Sequence, residues 1–249
     1  MRIHVSRLSY LLLILATING HAEEITLSSG RQQTILIELY TSEGCSSCPP
    51  AEEYLNALKQ HQELWQVYIP VAFHVGYWDY LGWRDPYAHE AHAKRQSGYA
   101  KQNNLRTIYT PAFVVNGKAW RPRWFTRELP EKGNPAGELT VTLTDKQLSA
   151  SYVPLTTQSE TLTLNIAVLG MGLVSHIKAG ENAGRSARHE FVVVGYKTLD
   201  SSNGHWVTRL PALHYSAARH YALAVWINHV HDLTPLQAVG GELPQFIEK

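Results

Sequence analysis

The apolar positions of this chain fall into two textures. From Thr34 to Tyr40 they run almost unbroken through Ile35, Leu36, Ile37 and Leu39, the pattern of a central strand covered on both faces. Ala51, Tyr54, Leu55 and Leu58 then recur at i, i+3, i+4 and i+7, which marks one apolar face of a helix. Val67 to Val75 is a second strand-like run. A parallel pair joined by that helix makes a right-handed crossover. Asp85-Pro86 reads as the cap and first turn of a second helix that ends near Asn103-Asn104. Ala112 to Val115 is a short strand, Asn116-Gly117 a type I′ hairpin turn, and Lys118 to Arg121 the returning strand. Trp124 to Glu131 is a weak helix candidate.

Beyond Gly133 the pattern changes. Asn134-Pro135-Ala136-Gly137 reads as a linker. Leu139, Val141 and Leu143 alternate with Thr140, Thr142 and Thr144, a half-buried strand. Similar runs follow at residues 148–153, 162–169, 191–196 and 221–228, with little helical periodicity. The expected architecture is an α/β N-terminal domain over residues 31–133. An antiparallel β-sandwich domain of about six or seven strands should follow it, over residues 137–249.

The first 22 residues have the composition of an export signal. Arg2, His4 and Arg7 precede an apolar stretch from Leu8 to Ile18, and Gly20-His21-Ala22 offers a cleavage site after Ala22. An uncleaved anchor is the alternative. No later segment is apolar for long enough to cross a bilayer as a helix. The expected location is therefore periplasmic or secreted, in an oxidising compartment. Loss of Arg2 and Arg7 with the leader leaves 20 basic residues against 21 acidic ones. Such a balance offers neither a basic stripe for nucleic acid nor a polybasic membrane patch.

Within this frame the chain has two cysteines only, Cys45 and Cys48, at a turn from strand to helix. Closing so short a ring stabilises a fold by only about 2 kcal/mol in the chain-entropy model. Reactivity explains the pair better than stapling does. The helix start should favour a thiolate at Cys45, with Cys48 as the resolving thiol. The expected partner is a protein or small-molecule thiol or disulfide. No organic cofactor is needed, because the redox-active disulfide itself carries the electrons.

Strand, Cys45-Ser46-Ser47-Cys48-Pro49 at a helix start, a second strand, a helix, and Thr110-Pro111 before a hairpin together resemble the thioredoxin superfamily over about the first half of the chain. The resemblance implies a thioredoxin-like first domain and a cis peptide bond at Thr110–Pro111. It also implies that Pro111 and Thr110 lie beside the cysteines, where an extended substrate binds. Glu38 stands one residue further from the first cysteine than the buried acid of thioredoxins. It is either a proton relay to Cys48 or a satisfied structural carboxylate. Gly44 departs from the aromatic residue that often precedes the first cysteine.

The segments Glu38 to Pro50, His74 to Asp79, Leu81-Gly82-Trp83, Asp85-Pro86, Tyr109-Thr110-Pro111 and Gly180 to Arg185 resemble more closely a secreted bacterial family of unknown function, DUF1223. That family implies no settled activity.

His74 to Trp83 follows the second strand at its C-terminal end, where open α/β sheets bind ligands. His74, Trp78 and Asp79 are candidate substrate-binding residues, whereas Tyr80 and Trp83 are expected to pack the loop. His89 and His92 share a predicted helix face and could join the cysteines in a metal site. A solvated face is the simpler account, so no metal ligands are assigned. Glu181, Arg185, His189 and Glu190 read as a charged hairpin tip or a binding loop. The expected function is a thiol–disulfide oxidoreductase. The alternative is a non-enzymatic envelope binding protein whose thiol pair holds copper or zinc, or serves only as a structural disulfide.

Overall fold

The computed structural model describes residues 24–122, 128–131, 133–156 and 160–243. The leader and its cleavage site lie outside the described residues. So does part of the Trp124–Glu131 segment, whose residues 128–131 are not helical.

Two strands set the frame. Strand β2 (Ile35–Thr41) and strand β3 (Tyr68–His74) are buried at every position, as their unbroken apolar runs require. They pair in parallel from Ile35↔Tyr68 to Thr41↔His74. Helix α1 (Pro49–Asn56) makes the crossover, with prolines at its first two positions and Ala51, Tyr54 and Leu55 buried. Helix α2 (Glu90–Lys101) follows. Strands β4 (Ala112–Val115) and β5 (Lys118–Trp120) form the expected hairpin. Asn116 and Gly117 turn it with positive φ values of 42° and 81°, as a type I′ turn demands.

The remaining strands overturn the expectation of an α/β thioredoxin-like domain followed by a separate antiparallel β-sandwich. The protein is mostly β-sheet. Among the described residues the only α-helices are α1 and α2, of 8 and 12 residues. Strands β8 (Leu162–Met171), β11 (Val192–Ser201), β13 (His220–His229) and β14 (Pro235–Leu243) do not close on themselves. They extend the β2–β5 sheet into one eight-stranded mixed sheet of order β14-β13-β8-β11-β3-β2-β4-β5. The seam is the parallel pairing of β11 with β3 at Val192↔Ala72, where the Ala72 N–H donates to the Phe191 carbonyl at 2.8 Å. The physical reason is the free edge of β3. A strand buried on both faces still needs partners for its backbone on both edges, and β11 supplies the second.

A smaller antiparallel sheet forms the second layer. Its order is β1 (Glu24–Ser28), β6 (Glu138–Thr144), β7 (Gln147–Val153) and β12 (His205–Arg209). The alternating Leu139, Val141 and Leu143 of β6 pack with Leu164, Ile166 and Val168 of β8 and with Leu223, Val225 and Ile227 of β13. A short hairpin, β9 (Leu173–His176) with β10 (Ser186–His189), stands apart from both sheets and leans against α1.

Side chains alternate along β2, so its two faces differ. Thr41 reaches α1, where its hydroxyl donates to Glu52 Oε1 at 2.5 Å. Glu38 and Tyr40 point the other way, to Arg95 and Tyr99 of α2.

Candidate functional site

Cys45 and Cys48 are joined in a disulfide with a Cα–Cα separation of 5.4 Å. The loop that holds them follows β2. Cys48 is the N-cap of α1, and its carbonyl accepts from the N–H groups of Ala51 and Glu52. Pro49 and Pro50 bring no N–H to the first turn, so the donors that a helix start usually aims at a sulfur are fewer here. Ser47 Oγ lies 3.4 Å from Cys45 Sγ. Ser46 and Ser47 are exposed, yet Cys45 is only 2% and Cys48 0% exposed.

The loop between β9 and β10 provides part of that cover. Asn182, itself buried, donates from Nδ2 to the carbonyls of Glu43 and Cys45 at 2.8 and 3.0 Å. The Ser46 N–H donates to Glu181 Oε2 at 3.2 Å. Segment Gly180 to Arg185 is thus laid over the cysteine loop rather than standing out as a charged tip.

The Thr110–Pro111 bond is cis, and Pro111 is half-buried. Trp78 links this turn to the cysteine loop. Its Nε1–H donates to Thr110 Oγ1 at 2.7 Å, and its Cβ packs so closely on Gly44 that a Cβ there would stand 3.0 Å away. That contact leaves little room for a side chain before Cys45. Asp79 Oδ1 accepts from the Asp85 N–H at 3.2 Å, and burial holds the Asp79 carboxyl above its usual range. Tyr80, expected to pack the loop, is 77% exposed and only stacks on Trp78, with ring centroids 6.4 Å apart. Trp83 is tied instead to Glu43 Oε2, at 2.7 Å.

His74 is fully buried at the end of β3, and its Nδ1 lies 2.7 Å from Asp85 Oδ2. Asp85 is not the cap of a helix. It is buried, accepts from the Glu43 and Tyr87 N–H groups, and α2 begins only at Glu90 with His89 as its cap. Opposite His74 stands His189, the last residue of β10, with ring centroids 5.1 Å apart. Its Nε2 meets Glu43 Oε1 at 2.9 Å and its Nδ1 lies 2.8 Å from Glu52 Oε2. Burial pushes the His189 imidazole down, and Glu52 and Glu43 more than reverse this, raising it to about 10. Burial raises the Glu52 carboxyl, but His189 and Thr41 bring it below its usual range.

Glu38 belongs to a different cluster on the α2 face. Arg95 grips it with Nε and Nη2 at 2.8 and 2.9 Å, while the Tyr40 and Tyr99 hydroxyls donate at 2.8 and 2.5 Å. All four bonds come from that face, and α1 with Cys48 packs over the other. The geometry is that of a satisfied structural carboxylate.

The structure thus brings Cys45, Cys48, Trp78, Thr110 and His74 to one end of the β2–β3 pair and sets Glu38 apart. His89 and His92 face His214 rather than the cysteines, with ring centroids 4.9 and 5.5 Å from it. Burial lowers His92 to about 3. Sequence reasoning missed Glu43, Glu52 and Arg95. Glu52 carried a signal, since it flanks the apolar stripe of α1 beside Ala51 and Leu55. Glu43 carried none beyond its place next to the cysteines.

The fold is similar to the crystal structure of protein AGR_C_4864 from Agrobacterium tumefaciens, with a TM-score of 0.56 and 21% identity over 84% of this chain and 93% of that one. It is also similar to HBP35 of Porphyromonas gingivalis, with a TM-score of 0.59 and 12% identity over 86% of this chain and 76% of that one. At these identities the likeness speaks for the fold alone. No curated protein matches the chain. A family model does match, over residues 36–228, a span that holds both cysteines and every residue of the two buried clusters. The chain belongs to that family, described as Protein of unknown function (DUF1223).

Proposed function

We propose that the protein carries out thiol–disulfide exchange through Cys45 and Cys48, in an oxidising compartment outside the cytoplasm. The observation that carries this reading is the disulfide itself: two cysteines three apart, at the N-cap of α1, with exposed serines between them. So small a ring adds little stability to a sheet of eight strands. No helix among the described residues is long and apolar enough to cross a membrane.

In the reducing direction the Cys45 thiolate attacks one sulfur of a substrate disulfide and releases the other as a thiolate. Cys48 then attacks Cys45 Sγ, frees the second substrate sulfur and restores the Cys45–Cys48 bond. Two electrons pass from the pair to the substrate, and the reverse sequence oxidises a substrate dithiol. The Ser47 hydroxyl, 3.4 Å from the Cys45 sulfur, can donate to its thiolate. In this reading an extended substrate lies against Trp78, Thr110 and Pro111; the Trp78 Nε1–H bond to Thr110 and the packing of Trp78 on Gly44 support it. The Gly180–Arg185 segment must swing away for attack, because Cys45 is covered. Glu38 takes no part, and Glu38→Gln leaves the pH dependence of exchange unchanged.

Burial of both cysteines favours a second reading, an inert structural link. One experiment separates the two. The reduction potential of the pair is measured against glutathione, and insulin reduction is assayed with wild type and Cys45→Ser. Turnover lost in the variant supports exchange. A potential below about −300 mV, typical of structural disulfides, with no turnover in the wild type, overturns it.

A further inference from the structure

We infer that Glu52, His74 and His189 form a binding site for a divalent transition-metal cation of the zinc class, on the α1 face of the sheet. The site does not rest on the thiol reading, because neither cysteine contributes to it.

All three residues are buried, and each offers a ligand atom within 4.8 Å of the other two. Bond lengths of about 2.0–2.2 Å from imidazole nitrogen and carboxylate oxygen to zinc suit a triangle of that size. The atoms on offer follow from what the others already do. Asp85 holds His74 Nδ1 at 2.7 Å, so Nδ1 carries the proton and Nε2 presents its lone pair. That Nε2 is buried and has no hydrogen-bond partner. Glu43 holds His189 Nε2 at 2.9 Å, which leaves Nδ1. His189 Nδ1 lies 2.8 Å from Glu52 Oε2 without a hydrogen bond between them. Thr41 fixes the other oxygen of Glu52 at 2.5 Å.

Each imidazole is therefore backed by a carboxylate on its far nitrogen. This arrangement orients metal-binding histidines and raises their basicity. Three elements converge to make it: the first turn of α1, the end of β3 and the end of β10. A cleft of about 500 Å3, lined by Ser42, Glu52, Asn182, Arg185 and His189 among others, leads in from solvent. Three protein ligands of this kind leave a further position for water or a small ligand.

A protonated His189 bridging Glu43 and Glu52 would balance charge without an ion. It gives no role to His74 Nε2. Were His74 protonated as well, its Nε2–H would be a buried donor with no acceptor, an arrangement folded proteins avoid. A cation satisfies His74 Nε2, His189 Nδ1 and Glu52 Oε2 together.

The test uses the full protein with its disulfide intact, stripped by chelator and titrated separately with Co2+ and Zn2+. We expect one ion per chain and visible cobalt bands of a low-coordinate nitrogen–oxygen site. No sulfur-to-cobalt charge transfer should appear, and zinc should displace cobalt. Cys45→Ser/Cys48→Ser should bind unchanged. Glu52→Gln and His74→Asn should abolish stoichiometric binding, and Asp85→Asn should weaken it by about ten- to a hundredfold. If these variants fail to fold, the imidazole nitrogen resonances of the wild type decide, since zinc must shift His74 and His189. Absence of stoichiometric uptake, uptake that survives in Glu52→Gln, uptake that requires the cysteines, or shifts confined to other histidines overturns the site.

Discussion

Replacing Arg95 with methionine tests whether the α2 face is held by charge. Arg95 is 5% exposed and Glu38 0% exposed. The substitution keeps most of the side-chain volume and removes two of the four donors to Glu38, leaving Tyr40 and Tyr99. It also removes a guanidinium whose centre lies 4.9 Å from the Trp226 ring centroid. Stripping one partner from a buried ion pair costs about 3–5 kcal/mol, because the remaining charge is left uncompensated. Domains are stable by only about 5–15 kcal/mol, so the loss is a large share of the total. Urea unfolding followed by tryptophan fluorescence measures it, with Trp226 close to the change. Glu38→Leu/Arg95→Met removes both charges and should cost less than Arg95→Met alone, since the two residues are directly coupled. A single-variant loss below about 1 kcal/mol, or a double variant as unstable as the single one, would refute the reasoning.

Other perturbations follow from contacts already described. Asn182→Ala deletes two hydrogen bonds to the cysteine loop; at about 1 kcal/mol each, the disulfide should be reduced by dithiothreitol roughly tenfold faster or more, and an unchanged rate shows that this segment is not the barrier. Gly44→Ala places a Cβ 3.0 Å from Trp78 Cβ and 3.3 Å from its carbonyl; overpacking of this kind should cost about 1–3 kcal/mol and shift Trp78 fluorescence, and a neutral effect would show that the loop has room. His92 is held down to about 3 by burial, so the unfolded chain takes up its proton near pH 6.5 while the folded one does not. Its contribution is therefore present above about pH 6.5 and declines as the pH falls. The stability gap between wild type and His92→Gln should narrow from pH 7 to pH 5, and a constant gap contradicts the shift.

Much of the frame could be read from residue patterns because it is local. The buried runs of β2 and β3, the stripe of α1 and the Asn116-Gly117 turn each declare themselves within a few residues. Strand pairing does not. Alternation in β6 says which side chains are covered, but nothing within the later strands says that β11 will seal the edge of β3. The same limit explains Asp85. Followed by Pro86, it has the look of a helix cap; only the fold reveals that His74 and the Glu43 N–H share its Oδ2 while the Tyr87 N–H takes its Oδ1. His189 meets Glu43 across a sequence separation of 146 residues, beyond the reach of any periodicity. Burial turns these placements into an argument about use. Glu43, Glu52, Asp85, His74 and His189 are all withdrawn from water within one cluster. Apolar residues of similar volume would often serve stability as well or better. A group of ionisable side chains that a core does not need, opening on a cleft, with one lone pair unspent, is accounted for by a cation to be held more economically than by packing.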